Sequence, residues 1–495
     1  MPVQDRNPEY VQNESKWLKC RVCAEGEEAV KASGPVFLPL LEAQDESEYN
    51  AYKTRASFFA GTSRAIAALV GMLFKKPPRV EGSTEDLDEV LKTVTEDKTD
   101  LLTFVKHITE EVVTVGRTCV VVDVASDVPS ASPYLTSYTA EQVINWKTEI
   151  KEDGSRGVSL LVIYETHSEP EDEFSHDTVP QIRVLGLEEG KYYVRLYRER
   201  ERPDPKNPDG PPIVEWVLEE TLYPVVRGQR LTFIPAVIIG VMDTAPDVEK
   251  PPLLDVAEVN LSLYRTSADL EHGRHFTALP TAYVAGDVDE DRHSKGLKLG
   301  STSIIKLEAG GTAGFLEFTG QGLSSLEKAT TDKKEEMAVL GARILLSDPS
   351  FQEASETLRI RKLGEGSIAA SIANTVGVGM TQALRWWQMW HQARETLEMN
   401  LNTEFVEVAL DATLLQNLMA AVMQKQLSWE SFFYNVKKSE LVPEERTLEE
   451  EIELINSGGP NPLDGAEEDP EDDDPEDDPE DDDPEDDPED DPDNE

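Results

Sequence analysis

Cysteine is nearly missing: three residues in a chain of 495 cannot build a disulfide framework. The opening MPVQDRNPEY has neither a basic start nor an apolar signal segment, so a reducing, intracellular site of synthesis is the expectation. Long apolar runs are lacking as well. The most apolar, AIAALVGMLF at 65–74, is about half of the roughly 20 residues that a bilayer requires, so a soluble chain with no membrane partner is expected. No GxxxxGK[ST] phosphate loop, HExxH zinc pair or GxSxG elbow occurs. The expectation is therefore a protein that is not an enzyme, with no catalytic residue, cofactor or metal.

Positive charge is scarce. There are 47 Lys and Arg against 98 Asp and Glu, a formal net charge of −51. From Asn461 onward lie 23 of those acids and no Lys or Arg, so the remainder still carries 75 against 47. Such a balance excludes a protein that grips nucleic acid by neutralising phosphates, because that role needs clustered Lys and Arg. It remains compatible with a chain that surrounds DNA without holding it.

The tail repeats PEDD and PEDDD with a proline every four or five residues, which opposes both helix and sheet. Disorder is expected over 458–495. Residues 45–76 read as one helix: Asp45 and Glu48 have capping-box spacing, Tyr52, Phe59, Ile66 and Leu73 recur every seventh position, and Pro77-Pro78 stops the pattern. DLLTFVKHITEEVVTVG predicts a second helix, over 99–115, running straight into the β-branched RTCVVVDV. From about 117 to 245, short β-rich runs such as GVSLLVIYET, QIRVLGL, KYYVRLY and FIPAVIIGV predict a mixed or mostly antiparallel sheet region. Leu253, Ala257, Leu261, Tyr264 and Ala268 then share one face of a helix ending before Pro280, and a Gly-rich β segment follows. Leu323, Leu326, Met337, Leu340 and Ile344 mark another helix over about 321–346. A polar break, LSDPSFQEAS, separates it from a long helical pattern over 353–397 in which Gly364, Gly366, Gly377 and Gly379 suggest a bend. EFVEVAL predicts a short strand, and further helices reach about Ser457.

Three groups could carry chemistry. Cys20 and Cys23 form a CxxC, half of a zinc site, but a tetrahedral site needs four ligands, so incidental spacing is the better reading. His272 and His275, with Asp269 and Glu271, could share a metal; a polar helix face whose imidazoles meet the C-terminal dipole explains them more simply. Trp386, Trp387 and Trp390 could stack on bases, although core or interface packing fits aromatics at a helix end better.

The order of these elements resembles the portal proteins (head-to-tail connectors) of tailed bacteriophages. The stretches FLPLLEAQDESEYNAYKTRASFF, AALVGMLFKKPP, PYLTSYTAEQVINW and PPLLDVAEVNLSLYRTSADLEHGRHFTALPT look like a branch of that family often described only as a domain of unknown function. The resemblance spans about 30–455 and leaves out the acidic tail. It implies an α+β portal fold. The wing would occupy 1–250 and the first stem helix 251–279. The clip would span 280–320 and the second stem helix 321–346. A channel loop at 347–356 would lead to a long kinked wing helix at 357–398 and a helical crown at 399–457 that faces the capsid interior.

The same resemblance implies a homo-oligomeric ring, usually of twelve, at the unique capsid vertex, through which double-stranded DNA is packaged and ejected without sequence-specific binding. Ser347, Asp348, Pro349, Ser350, Phe351, Gln352 and Glu353 would line the DNA channel. Asp287, Asp289, Glu290 and Asp291 would lie on the clip that docks the terminase large subunit and later the head-completion, neck and tail proteins. Major capsid and scaffolding proteins are the other implied partners, and the virion is the implied location. A structural connector of the virion that never contacts DNA is the alternative.

Overall fold

The structure is a computed structural model. It describes residues 2–42, 44–83, 85–124, 132–150, 154, 156–170, 172–203, 212–278, 281–285, 310–316, 321–345, 368–391, 397–403, 412–439, 441–443 and 446–457. The expected strand EFVEVAL and the tail 458–495 lie outside these residues. The chain divides into two units, Met1–Phe405 and Val406–Glu495.

The first unit opens with a helix that the sequence reading did not assign, α1 (Pro8–Glu25). Asn7 caps it by accepting from the Glu9 backbone N–H, Pro8 occupies the first turn where its missing donor costs nothing, and Gly26 ends it at φ 100°. A short α2 (Glu27–Ala32) follows. The predicted single helix over 45–76 is two, α3 (Glu46–Arg55) and α4 (Gly61–Leu73). The Asp45–Glu48 capping box is present in both directions. The break at 56–60 has a tertiary cause. Asn260, fully buried, donates from Nδ2 to the Phe59 carbonyl at 2.8 Å and accepts at Oδ1 from Thr62 N–H at 3.1 Å and Thr62 Oγ1 at 2.9 Å. These bonds satisfy groups that the chain turn leaves unpaired.

A short strand β1 (Arg79–Glu81) and helix α5 (Glu85–Val90) lead to α6 (Leu101–Val115). Asp100 caps α6, and Gly116 terminates it in the left-handed region at φ 87°. A Cβ there would lie 3.2 Å from Pro251 Cα, so glycine also permits a close approach. The expected passage from helix into strand is direct, because β2 (Arg117–Val124) begins at the next residue.

Next come β3 (Pro133–Thr139), β4 (Val143–Ile150), β5 (Arg156–Ser168), β6 (Thr178–Glu188), β7 (Lys191–Arg202) and β8 (Ile213–Leu222). The short β9 (Val225–Val226) and β10 (Gln229–Arg230) precede β11 (Ala236–Gly240). Strands β4 to β8 form a five-stranded meander, and β11-β2-β3 a three-stranded sheet. Every pairing in both sheets is antiparallel. In β2 the side-chain alternation divides two cores: Cys119 and Val121 join one, Val120 and Val122 the other. The N-terminal segment covers the start of the β4 edge, with Asn7 N–H donating to Ile144 O at 2.8 Å.

Helix α7 (Leu254–Ala278) serves both cores as well. Leu254, Ala257, Leu261, Tyr264 and Ala268 pack into the first, and Val256 and Leu263, with Leu253 just before the helix, into the second. Strands β12 (Thr281–Ala285) and β13 (Thr312–Leu316) form an antiparallel pair. The chain then continues into α8 (Gln321–Leu345), which packs against α7. Contacts of Arg274 with Glu327 and of Thr266 with Lys333 make the two helices antiparallel.

Helix α9 (Ile368–Gln388) lies in the second core. It ends nine residues before the boundary at 397 that its sequence pattern suggests. Glu398–Asn400 instead forms β14, which pairs with β1. Gly377 and Gly379, read above as a bend, lie within continuous helix. Cβ atoms at these positions would come within 2.9 Å of Met399 O and 2.5 Å of Ile239 Cγ1, so they allow strands to approach the helix. The second unit contains α10 (Ala412–Met423), α11 (Trp429–Lys438) and α12 (Leu448–Asn456). The fold class is α+β.

The Asn260 clamp yields a stability test. Asn260→Ala leaves the buried Thr62 N–H without its partner, while Phe59 O keeps the Gly61 N–H at 2.7 Å, and should cost roughly 1–3 kcal/mol for the one orphaned group. Urea unfolding of wild type and variant measures this, and an unchanged midpoint would contradict the clamp.

Candidate functional site

The two-helix arm of α7 and α8 and the β12–β13 pair between them contain the region on which the functional expectations converge. Through Leu270, α7 is largely buried; from Glu271 its side chains are half-buried or exposed, and Phe276 is 56% exposed. On α8 only Met337 is buried among the described side chains. Polar contacts therefore hold the arm together. Lys333 Nζ donates across the helix pair to Ser262 O at 3.2 Å and to Thr266 Oγ1 at 2.5 Å. Burial and the neighbouring Arg265 lower its pKa. Arg274 bridges Glu271 on its own helix and Glu327 on α8, both at 2.8 Å. At Gly273 a Cβ would lie 2.8 Å from Leu323 Cδ2, so close helix contact favours glycine there.

Beside the arm, the 56–60 break forms one wall of a cavity of about 410 Å³. Phe59 stands at this wall between two cations. Arg64 and Lys334 each lie 5.3 Å from its ring centroid.

Helix α3 packs on the other side of α7. Tyr52 Oη donates to Asp269 at 2.6 Å, and Arg55 Nη2 lies 3.2 Å from His272 Nδ1. A guanidinium can only donate, so His272 must be deprotonated at Nδ1. Thus Asp269 and His272 are each engaged by α3. Trp387 is buried, with Nε1 donating to Pro133 O at 3.0 Å, while Trp386 stacks on Phe233 and Trp390 packs against both cores. All three face protein. Cys20, Cys23 and Cys119 are buried free thiols, and burial pushes the pKa of each up to about 12.

Asp287, Asp289, Glu290 and Asp291 lie outside the described residues, as do Ser347, Asp348, Pro349, Ser350, Phe351, Gln352 and Glu353. Their flanking elements are described: β12 and β13 bracket the first group, and α8 and α9 the second. Among the described residues no group of three or more His, Cys, Asp or Glu could hold a metal ion, and no helix is long and apolar enough to cross a membrane.

Three polar arrangements escaped sequence reasoning. Arg21 pairs with Glu111 at 2.6 Å and Glu141 at 3.0 Å, tying α1 to α6 and to the turn before β4. Arg183 pairs with Asp123 at 2.8 Å and Glu165 at 3.1 Å, which links the two larger sheets. Arg117 is buried against the Trp146 ring, 4.5 Å from its centroid, and desolvation lowers its pKa to about 10. No local motif marks these three arginines, because their partners lie far along the chain.

The family described as "Domain of unknown function (DUF4055)" matches residues 252–391, which contain α7, α8 and α9. No curated protein matches the chain. Among solved structures, the chain is similar to one from the neck of an empty gene transfer agent (GTA) particle computed with C6 symmetry. That match has 11% identity and a TM-score of 0.36, covering 84% of this chain and 99% of the other. It is also similar to one from the virion of a native GTA particle, at 12% identity and a TM-score of 0.35, covering 84% and 98%. A third, from the neck of a native GTA particle computed with C12 symmetry, has 11% identity and a TM-score of 0.32, covering 77% and 89%. Overlaps of this order do not bear on function.

The contact between α3 and α7 should depend on pH. Burial and the Arg55 charge lower the His272 pKa from 6.5, with His275 acting in the same direction and Asp269 and Glu48 opposing. The folded state therefore binds this proton more weakly than the unfolded state. The contribution is complete above pH 6.5 and lost as pH falls through the lowered folded value. Hydrogen exchange of α3 amides, corrected for intrinsic rates, should show less protection at pH 5 than at pH 7.5. His272→Gln should flatten that difference, and a variant with the wild-type pH response would contradict the assignment.

Proposed function

We propose that this chain is the ring-forming portal subunit of a tailed-phage-type particle. The ring would occupy the unique capsid vertex, where double-stranded DNA is packaged and ejected without sequence-specific binding. The observation that carries the reading is the antiparallel pair α7 and α8, which emerges from an α+β body and has the β12–β13 pair between its helices. In this reading α7 and α8 are the stem and residues 280–320 the clip. Residues 347–356 form the channel loop, 357–398 contain the long wing helix, 399–457 form the crown, and 1–250 make up the wing. The clip carboxylates Asp287, Asp289, Glu290 and Asp291 dock the terminase large subunit and then the neck and tail proteins. The body contacts the capsid and scaffolding proteins during assembly.

Physical chemistry supports a passage that does not hold DNA. Ring symmetry repeats each side chain, so even one acidic position per subunit becomes a negative belt that repels the phosphate backbone. Ser347–Glu353 contains only Asp348 and Glu353 as charges and no cation to grip phosphate. Its side chains lack the bidentate cations used in the commonest base-edge contacts.

Asp348→Lys with Glu353→Lys should leave ring formation near wild type while reducing packaged DNA per particle, because two added cations per subunit would bind the backbone in transit. Particle yield is the control. Wild-type DNA content with wild-type infectivity would show that these residues do not line the DNA path and would favour a connector that never touches DNA.

A further inference from the structure

Helix α8 carries opposite charge on its two flanks. With about 100° per residue, and with Lys333 and Met337 turned toward the body, Lys334 lies on one flank and Asp332 and Glu336 lie about half a turn away. The first flank joins Arg64 and Lys334 around Phe59 at the edge of the cavity of about 410 Å³. Arg274, Glu271 and Glu327 also line that cavity but are committed to one another. On the second flank, Val339 is 44% exposed beside the two carboxylates, and Lys328, one turn before Asp332, is the cation on the same flank. Among the described residues, Arg64, Lys334, Asp332 and Glu336 form no ion pair.

We infer that a second copy of this chain docks here head to tail, with its Asp332 and Glu336 against Arg64 and Lys334 of its neighbour and its Val339 at the mouth of the cavity. The inference rests on the ring reading above and names the contact that would build the ring. A two-fold dimer through either flank would set like charges against each other, whereas joining unlike flanks repeats around a circle. Val339, exposed on one flank, and Phe59, half-buried on the other, give the contact something to bury besides charge. Arg64 and Lys334 are held by the Phe59 ring in the free chain, so they are arranged for the incoming carboxylates beforehand.

The test uses two variants of the full chain. Variant one carries Arg64→Glu and Lys334→Glu, and variant two carries Asp332→Lys and Glu336→Lys. Mass photometry at about 0.15 M salt, where screening of such exposed pairs is partial, should show that each variant alone needs at least tenfold more protein than wild type to assemble. Mixing the two restores both kinds of contact in alternation, and should return assembly to near the wild-type range. Rescue on mixing also shows that both variants are folded. Either variant assembling like wild type, or a mixture no better than its components, overturns the contact while leaving the ring intact. A wild-type chain that stays monomeric at every concentration overturns the ring reading together with this contact.

Discussion

The first unit depends on one helix having a place in two cores. Helix α7 packs Tyr264 and Ala268 into one core and Val256 and Leu263 into the other, while Asn260 reaches sideways to fix the turn between α3 and α4. These constraints anchor the first two-thirds of α7. Its last turns then extend beyond the cores, and α8 follows them on polar contacts centred on Lys333 and Arg274. An arm held mainly by hydrogen bonds and exposed ion pairs gains little stability from each pair. Its surface remains available for association instead of being spent on the fold.

Local chemistry made much of this fold legible. The Asp45–Glu48 capping box, the β-branched runs of β2, β5, β6 and β11, and the apolar face of α7 are written in short stretches of sequence. What could not be read depended on partners far along the chain. The heptad Tyr52, Phe59, Ile66, Leu73 suggested one helix, but Phe59 O is bonded to Asn260 some 200 positions away, which stabilises the turn. The helical pattern reaching 397 stops at Gln388, and beyond it Glu398–Asn400 pairs with Arg79–Glu81. Helix α1 escaped notice because its buried face, including Asn13 and two cysteines, lacks a clear apolar stripe.

Of the candidate sites, the arm that bears them was legible, since its helices follow apolar spacing. The cationic bracket around Phe59 was not, because Arg64 and Lys334 meet only after α4 and α8 are placed side by side. Charge gives the functional reading its internal consistency. A chain with net charge −51 has few cations to spare, and many of those resolved are committed to carboxylates in the sheets or at helix contacts. Arg64 and Lys334 instead face an aromatic ring. In the portal reading an acidic sleeve suits DNA that passes without being held, and Arg64 and Lys334 are placed to join one acidic subunit to the next.

The central claim is that copies of this chain close into a ring around a passage. Single-particle imaging of the purified full chain tests it most directly. The account predicts closed rings of a single rotational symmetry, close to twelvefold, with a central opening wide enough for duplex DNA. Monomers, two-fold dimers or open filaments at assembly concentrations, or closed rings too narrow for a duplex, would contradict it.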